Sequence, residues 1–375
     1  MVTTGRGLAG VEVDASAISE VDGARGALRY RGYAIEDLAA RADFVEVVGL
    51  VLDGELPRGA DRAALEDALR ERALPPGALA ALGALPRDTH PMTALQVALP
   101  LLDGPEDKAR PRLRSRAEQR ARLLALGARL PALVATWDRL RRGLAPLDPD
   151  PALALHDDFL RMVRGARPDP EEVRVLDVTQ ALQLEHGFNA STFAGRVVAS
   201  TLAPLSEVLS ACVAALHGPL HGGADEAAWR LALELGDAAA APAWVEARLA
   251  AGEKIMGLGH REYRVVDPRA RVLRPLAVGL ARRAGLEGPV GALVAVDEHA
   301  ARWFAARGKQ VHANVEFYKG AVFAALGLAP DLFTALFAMA RVWGWGAHAL
   351  EVWDDHALVR PRARYVGPPA RALPT

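Results

Sequence analysis

Three histidines and one carboxylate stand in this sequence where backbone can approach a small molecule closely. His186 lies in Gln183-Leu-Glu-His-Gly-Phe-Asn-Ala-Ser-Thr192, His221 in Leu216-His-Gly-Pro-Leu-His-Gly-Gly223, and His260 closes Gly257-Leu-Gly-His260. The neighbouring glycines admit a ligand to the backbone, and an imidazole exchanges protons near neutral pH. Glu316, in Asn314-Val-Glu316, offers a carboxylate between apolar neighbours. A histidine taken alone is more often structural, so these residues need company. Arg269 in Asp267-Pro-Arg269, Arg341 among Leu336, Phe337, Met339 and Val342, and the segment Arg360-Pro-Arg362 supply it. An arginine buried without a partner is very costly, so Arg341 must face an acid or an anionic ligand. For one arginine a structural salt bridge suffices. Three, beside three histidines in glycine-rich bends, point to a ligand with more than one carboxylate, which guanidinium forks match two atoms at a time.

A metal site is the rival reading. His217 and His221 are four apart, as zinc ligands on a helix would be, but Gly218 and Pro219 break the helix between them. Cys212 is the only cysteine, which excludes a cysteine-based cluster and an intrachain disulfide and suits a reducing cytosol. No metal is expected.

With 375 residues, 51% of them hydrophobic, the chain can bury a large core as one or two domains. A formal net charge of -1 argues against nucleic-acid or membrane-surface binding, which draws on a basic excess. Met1 to Arg6 has no apolar signal-peptide core, and the longest apolar run, Val197 to Leu216, contains Pro204 and Glu207, which makes it a core helix and no membrane span. The expected location is the cytoplasm.

The elements that must position these side chains read as helices. Phe193, Val197, Val198, Leu202, Leu205, Leu209, Cys212, Val213 and Leu216 form one face of a 3.6-residue period, with small residues such as Ala194, Gly195, Ala199 and Ser206 opposite. Such a helix is expected to pack on all sides, kinked or divided at Pro204. His186 and His221 then mark its two ends. Helical spacing also covers Phe44 to Leu52 between an Asp43 N-cap and a Gly54 stop, Ser115 to Trp137 with a break at Pro131, and Leu332 to Trp353 carrying Arg341 and His348. The Arg110 to Arg122 tract reads as a solvated face and turn. Only Ile18 to Val21 and Ala27 to Tyr30 read as strands, joined as a short hairpin. The fold class is all-α with one small N-terminal β-hairpin.

Leu216 to Ala224, Ile255-Met-Gly-Leu-Gly-His-Arg-Glu-Tyr263, Asp267-Pro-Arg269, Asn314-Val-Glu-Phe-Tyr318 and Arg360-Pro-Arg-Ala-Arg-Tyr-Val-Gly367 resemble the citrate synthase family. So does the N-terminal Val21-Asp-Gly to Leu28-Arg-Tyr-Arg-Gly-Tyr33. The resemblance runs in order over nearly the whole chain. It implies a helical homodimer that condenses oxaloacetate with acetyl-CoA and hydrolyses the thioester. Each subunit would have a large domain, residues 1–222 and 326–375, and a small domain, residues 223–325, that closes on substrate. Oxaloacetate would be held by His186, His260, Arg269 and Arg341, with Arg360 reaching across the dimer interface. His221 would donate to the thioester carbonyl, Glu316 would take the methyl proton, and His260 would polarise the ketone. Coenzyme A would lie against Leu258 and Gly259, with Arg264 at a phosphate. Acyl-CoA is a co-substrate, and no tightly bound cofactor is implied.

The sequence departs from the family in telling places. The usual base is an aspartate, and Glu316 sets its carboxylate one methylene further out. A misplacement of ~1 Å can cost on the order of a hundredfold in rate. Glu185 also replaces a usual aspartate, and Asp225 stands where asparagine or proline is common. Three readings stay open here: a citrate synthase using Glu316, a relative that takes propionyl-CoA to 2-methylcitrate, and a catalytically weak protein that binds oxaloacetate or CoA.

Overall fold

The computed structural model describes residues 6–8, 10–103 and 114–373; the N-terminal stretch to Gly5 and residues 110–113 of the arginine-rich tract lie outside them. Strands β1 (Ser19–Asp22), β2 (Ala27–Tyr30) and β3 (Tyr33–Ala34) form one antiparallel sheet in sequence order, with Ser19 opposite Tyr30. The turn is set by Asp22, whose carboxylate accepts the backbone N–H groups of Ala24 and Arg25. Gly23 lies so close to the loop after His260 that a Cβ there would sit 2.2 Å from the Glu262 carbonyl oxygen. Arg264 N–H donates to the Gly23 carbonyl at 2.8 Å. The hairpin therefore rests directly on the segment that carries His260.

Sixteen α-helices follow among the described residues. They are α1 (Ile35–Arg41), α2 (Phe44–Asp53), α3 (Gly59–Ala68), α4 (Pro76–Ala84), α5 (Pro91–Ala98), α6 (Arg116–Arg141), α7 (Leu155–Arg164) and α8 (Pro170–Ala181). After these come α9 (Ala190–Ser200), α10 (Leu205–His217), α11 (Ala224–Leu235), α12 (Ala241–Ala250), α13 (Pro268–Ala284), α14 (Glu287–Ala305), α15 (Val315–Ala325) and α16 (Phe333–Asp354). Helix α2 begins and ends as its sequence dictates. Asp43 and Glu46 cap it reciprocally, and Gly54 stops it at φ 90°.

Two helices differ from the sequence expectation. Pro131 does not break α6, which runs unbroken through 26 residues. Leu130, Leu133, Val134 and Trp137 are all buried there, and burial of several large side chains outweighs a proline cost of ~3 kcal/mol. The second difference concerns the divided helix. Pro204 does separate α9 from α10, as its N-cap. In α10 the bulky face is buried, but in α9 it is the small face, Ser191, Thr192, Gly195, Ala199 and Ser200, that is buried. Phe193, Val197 and Val198 stay half-exposed. The reason is close approach: a Cβ on Gly195 would stand 2.4 Å from Cys212 Sγ, so only the small face fits against α10.

Helix α16 is the spine, buried on nearly every side and packed by α2, α6, α9 and α10. Helices α11 to α15 pack chiefly on one another and meet the rest through α1, α8, α16 and the short Pro330–Leu332 turn. No helix among the described residues is long and apolar enough to cross a membrane.

Candidate active site

His260 lies in the irregular segment between α12 and α13. Its Nδ1 accepts the backbone N–H groups of Glu262 at 3.0 Å and Tyr263 at 3.2 Å. An acceptor nitrogen carries no proton, so the ring hydrogen belongs to Nε2. Burial, with the charge of Arg269 beside it, pushes His260 down to about 4. At neutral pH it is thus an uncharged donor with a fixed direction. His186, on the bend before α9, is 5.4 Å from it ring to ring and bonds Tyr263 Oη through Nε2 at 3.0 Å. Burial first, then Arg269, His260 and Arg341, hold His186 well below the usual range.

Arg269 is placed by its own helix cap. Asp267 caps α13, and its carboxylate grips the guanidinium through Nε at 3.0 Å and Nη2 at 2.8 Å. Burial works against that charge, but Asp267 holds Arg269 above its ordinary range. Asp267 Oδ2 also accepts Val315 N–H at 3.1 Å, which ties the start of α13 to the start of α15. Arg341, on α16 and 1% exposed, donates from Nε to the Gln183 carbonyl at 2.6 Å. Among the described residues its two terminal nitrogens have no hydrogen-bonded protein acceptor. The requirement read from the sequence, an acid or an anionic ligand, is therefore not met by a salt bridge.

His221 follows α10. Burial, then the charge of Arg341, pushes it down to about 4. Its Nε2 lies 2.9 Å from Ser191 Oγ. That oxygen takes the indole N–H of Trp345 at 3.1 Å, and its own hydrogen has two acceptors in reach, His221 Nε2 and Asn189 Oδ1 at 2.8 Å. When it is given to His221, the ring proton sits on Nδ1. The ring of Phe337 gathers the other groups: His221 stands 6.3 Å from it centre to centre, Lys319 Nζ 4.0 Å and Arg341 Cζ 4.7 Å.

Glu316 sits in the first turn of α15, where the Asn314 cap accepts its backbone N–H at 3.0 Å. Its carboxylate is in ion contact with Lys319, one turn on, and Lys319 is 3.1 Å from Asp225 Oδ2 on α11. Lys319 and Asp225 are wholly buried. The sequence reading missed Lys319, although its i,i+3 spacing from Glu316 was a usable signal. It also missed Ser191 and Trp345, whose roles depend on a fold contact.

Of the remaining candidates, Leu258 pairs across to Ala313, and Gly259 N–H donates to the His312 carbonyl at 2.8 Å. Gly259, but not Leu258, lines a cavity of ≈ 170 Å³, together with His260, Arg264, Asp267 and His312. A larger cleft, ≈ 540 Å³ between α3 and α6, is lined by none of the candidate residues. Arg360 is not drawn into its own chain's site: it is exposed and, among the described residues, bonds only the Pro361 carbonyl. Glu185 is fully buried and accepts from Ser19 Oγ and Gly187 N–H. It also pairs with His348, whose charge it favours although burial opposes it.

The chain is similar to known proteins along nearly its whole length. Residues 7–362 match the family described as Citrate synthase, C-terminal domain. The chain is 37% identical over 367 residues to a citrate synthase of Acidithiobacillus ferridurans, covering 96% of this chain and 95% of that one. It is 39% identical over 375 residues to a 2-methylcitrate synthase of Mycobacterium tuberculosis, covering 98% and 92%. Among solved structures it is similar to Thermoplasma acidophilum citrate synthase in ternary complex with carboxymethyl coenzyme A and oxaloacetate, with TM-score 0.91, 30% identity and coverage of 98% and 97%.

Proposed function

The chain belongs to the citrate synthase family, an acyltransferase family that forms a carbon–carbon bond, and from that premise we propose that its own site condenses acetyl-CoA with oxaloacetate to citrate and free CoA. Glu316 takes a methyl proton from acetyl-CoA. The enolate oxygen that forms is stabilised by the ring N–H of His221, uncharged at neutral pH. The enolate carbon attacks the ketone of oxaloacetate, whose oxygen receives the Nε2 hydrogen of His260. Water then cleaves the citryl thioester. His186, Arg269 and Arg341 hold the oxaloacetate carboxylates, and Leu258, Gly259 and Arg264 meet coenzyme A.

The observation that carries this reading is His260. Two backbone N–H groups reserve its Nδ1, so Nε2 is a neutral donor beside the buried Arg269. That is what a carbonyl polariser for a dicarboxylate needs. Closure of residues 223–325 on the remainder is supported by the way α11 to α15 pack mainly on one another.

A homodimer with Arg360 donated to the partner's site belongs to the same proposal. The half-exposed Phe193, Val197 and Val198 on α9 and the extended, exposed segment from Leu358 support it. Arg360→Ala should raise the KM for oxaloacetate while the protein still sediments as a dimer. Full activity of the wild type as a dilute monomer would defeat the shared site.

Free-thiol release from acetyl-CoA, with and without oxaloacetate, tests the reaction. Oxaloacetate-dependent release is expected; binding of oxaloacetate without release would refute catalysis. The same assay with propionyl-CoA reads the acyl preference, where one methylene is worth ~1–3 kcal/mol.

A further inference from the structure

At the start of α11 and α15, Glu316 stands in a unit with two charged residues, Asp225 and Lys319, to which the proposed reaction assigns no part. Lys319 is 0% exposed. Its ammonium lies between two carboxylates, Glu316 on its own helix and Asp225 on α11, with the Phe337 ring 4.0 Å away. The contacts are Coulombic. Lys319 Nζ, Asp225 Oδ2 and Glu316 Oε2 are all buried, and none makes a hydrogen bond of regular geometry. A buried ammonium with two carboxylates leaves one negative charge uncompensated, which is costly unless it is used.

We propose that Lys319 is a positioning residue for the proton-abstraction step, setting with Asp225 the charge and the place of the Glu316 carboxylate. This rests on Glu316 acting as the base. Lys319 engages Oε2, leaving Oε1 as the oxygen for the substrate proton. Asp225 shares the ammonium, so Lys319 is not given wholly to Glu316. Burial pushes Asp225 up to about 6 against the pull of Lys319, with Glu316 adding to the rise. The two carboxylates therefore share one cation.

Other charged groups stand on the elements packed around the unit, and the charge of Glu316 also acts on His260. Arg341 reaches it across Phe337, and neutral His221 lies at the edge of the same ring. Asp267 and Arg269, at the start of α13, are satisfied by one another. Towards α14, Asp297 is held by Tyr318 Oη at 2.7 Å and faces Arg274 at 3.8 Å. On α8, Asp177 is bonded to His156, and near the Pro330 turn Asp331 is paired with Arg141.

The test is the acid limb of the kcat profile in purified full-length protein, using acetyl-CoA and saturating oxaloacetate. Lys319→Met leaves two carboxylates facing one another, and the limb should move to higher pH by about one unit. Asp225→Asn keeps the side-chain shape, gives Lys319 wholly to Glu316, and should move the limb to lower pH. Opposite displacements are the expected result, and the Asp225 variant stands as a test if Lys319→Met does not fold. A lysine that served folding alone would lower the rate equally at every pH. Limbs that coincide with wild type, beside a Glu316→Gln enzyme without turnover, overturn the role of Lys319 and leave that of Glu316. Full turnover by Glu316→Gln overturns both.

Discussion

The half of the site around His260 and the corner around Glu316 are held by different physics. Around His260 the bonds are directional: two backbone N–H groups on Nδ1, Tyr263 on His186, and Asp267 gripping Arg269 by two nitrogens. Around Glu316 three buried atoms are held by charge without regular hydrogen bonds. Directional bonds fix a tautomer and an angle, which a neutral donor to a carbonyl requires. A charge cluster instead governs ionisation and tolerates a change in reach. Departures from the family pattern fall in both: Glu316 and Asp225 in the charge cluster, and Glu185 beside His186, where it is held by directional bonds from Ser19 Oγ and Gly187 N–H.

The comparison can be broken at its strongest point. Glu316→Gln is expected to lower thiol release by on the order of a thousandfold or more while calorimetry still detects oxaloacetate binding. Retained turnover would remove the base from that corner. Next in size, Arg341→Met should raise the KM for oxaloacetate by about a hundredfold, since it removes a buried charge that has no other counter-ion in bonding distance among the described residues. An unchanged KM would show that the directional half does not hold the dicarboxylate.

Glu316→Asp sharpens the contrast. The shorter side chain withdraws from Lys319, and kcat should fall by about tenfold to a hundredfold. A faster enzyme would mean that the cluster is placed for an aspartate. The smallest effect concerns pH. His221 and His260 are both pushed down to about 4, so neither should add a limb near pH 6.5 to the rate profile. Both bind protons more readily unfolded than folded in the window from pH 6.5 to 4. Their contribution to stability is therefore complete above pH 6.5 and withdrawn as pH falls to 4. Melting temperature should drop across that window in wild type and less in His260→Asn; equal drops would count against the depressed value.

The helical architecture was legible because local rules carry it. Asp43, Glu46 and Gly54 bracket α2, and a proline divides α9 from α10. The candidate residues were visible too, since glycine-rich bends around His186, His221 and His260 and an arginine in an apolar helix stand out in one dimension. Pro131 misled because its local penalty was weighed without the burial of its neighbours. The exposure of the bulky face of α9 was hidden because which face packs inward depends on the approach of Gly195 to Cys212, from a different helix.

The sequence by itself determined which residue types were available, in what order, and on which helices. Tertiary structure alone decided their states. The proton of His260 is assigned by backbone groups that its loop folds back upon it, and Ser191 meets His221 only because α9 and the bend after α10 converge. Lys319 faces Asp225 across two helices more than ninety residues apart. Protonation and ion pairing depend on distance and burial, and both arise only when the chain is packed.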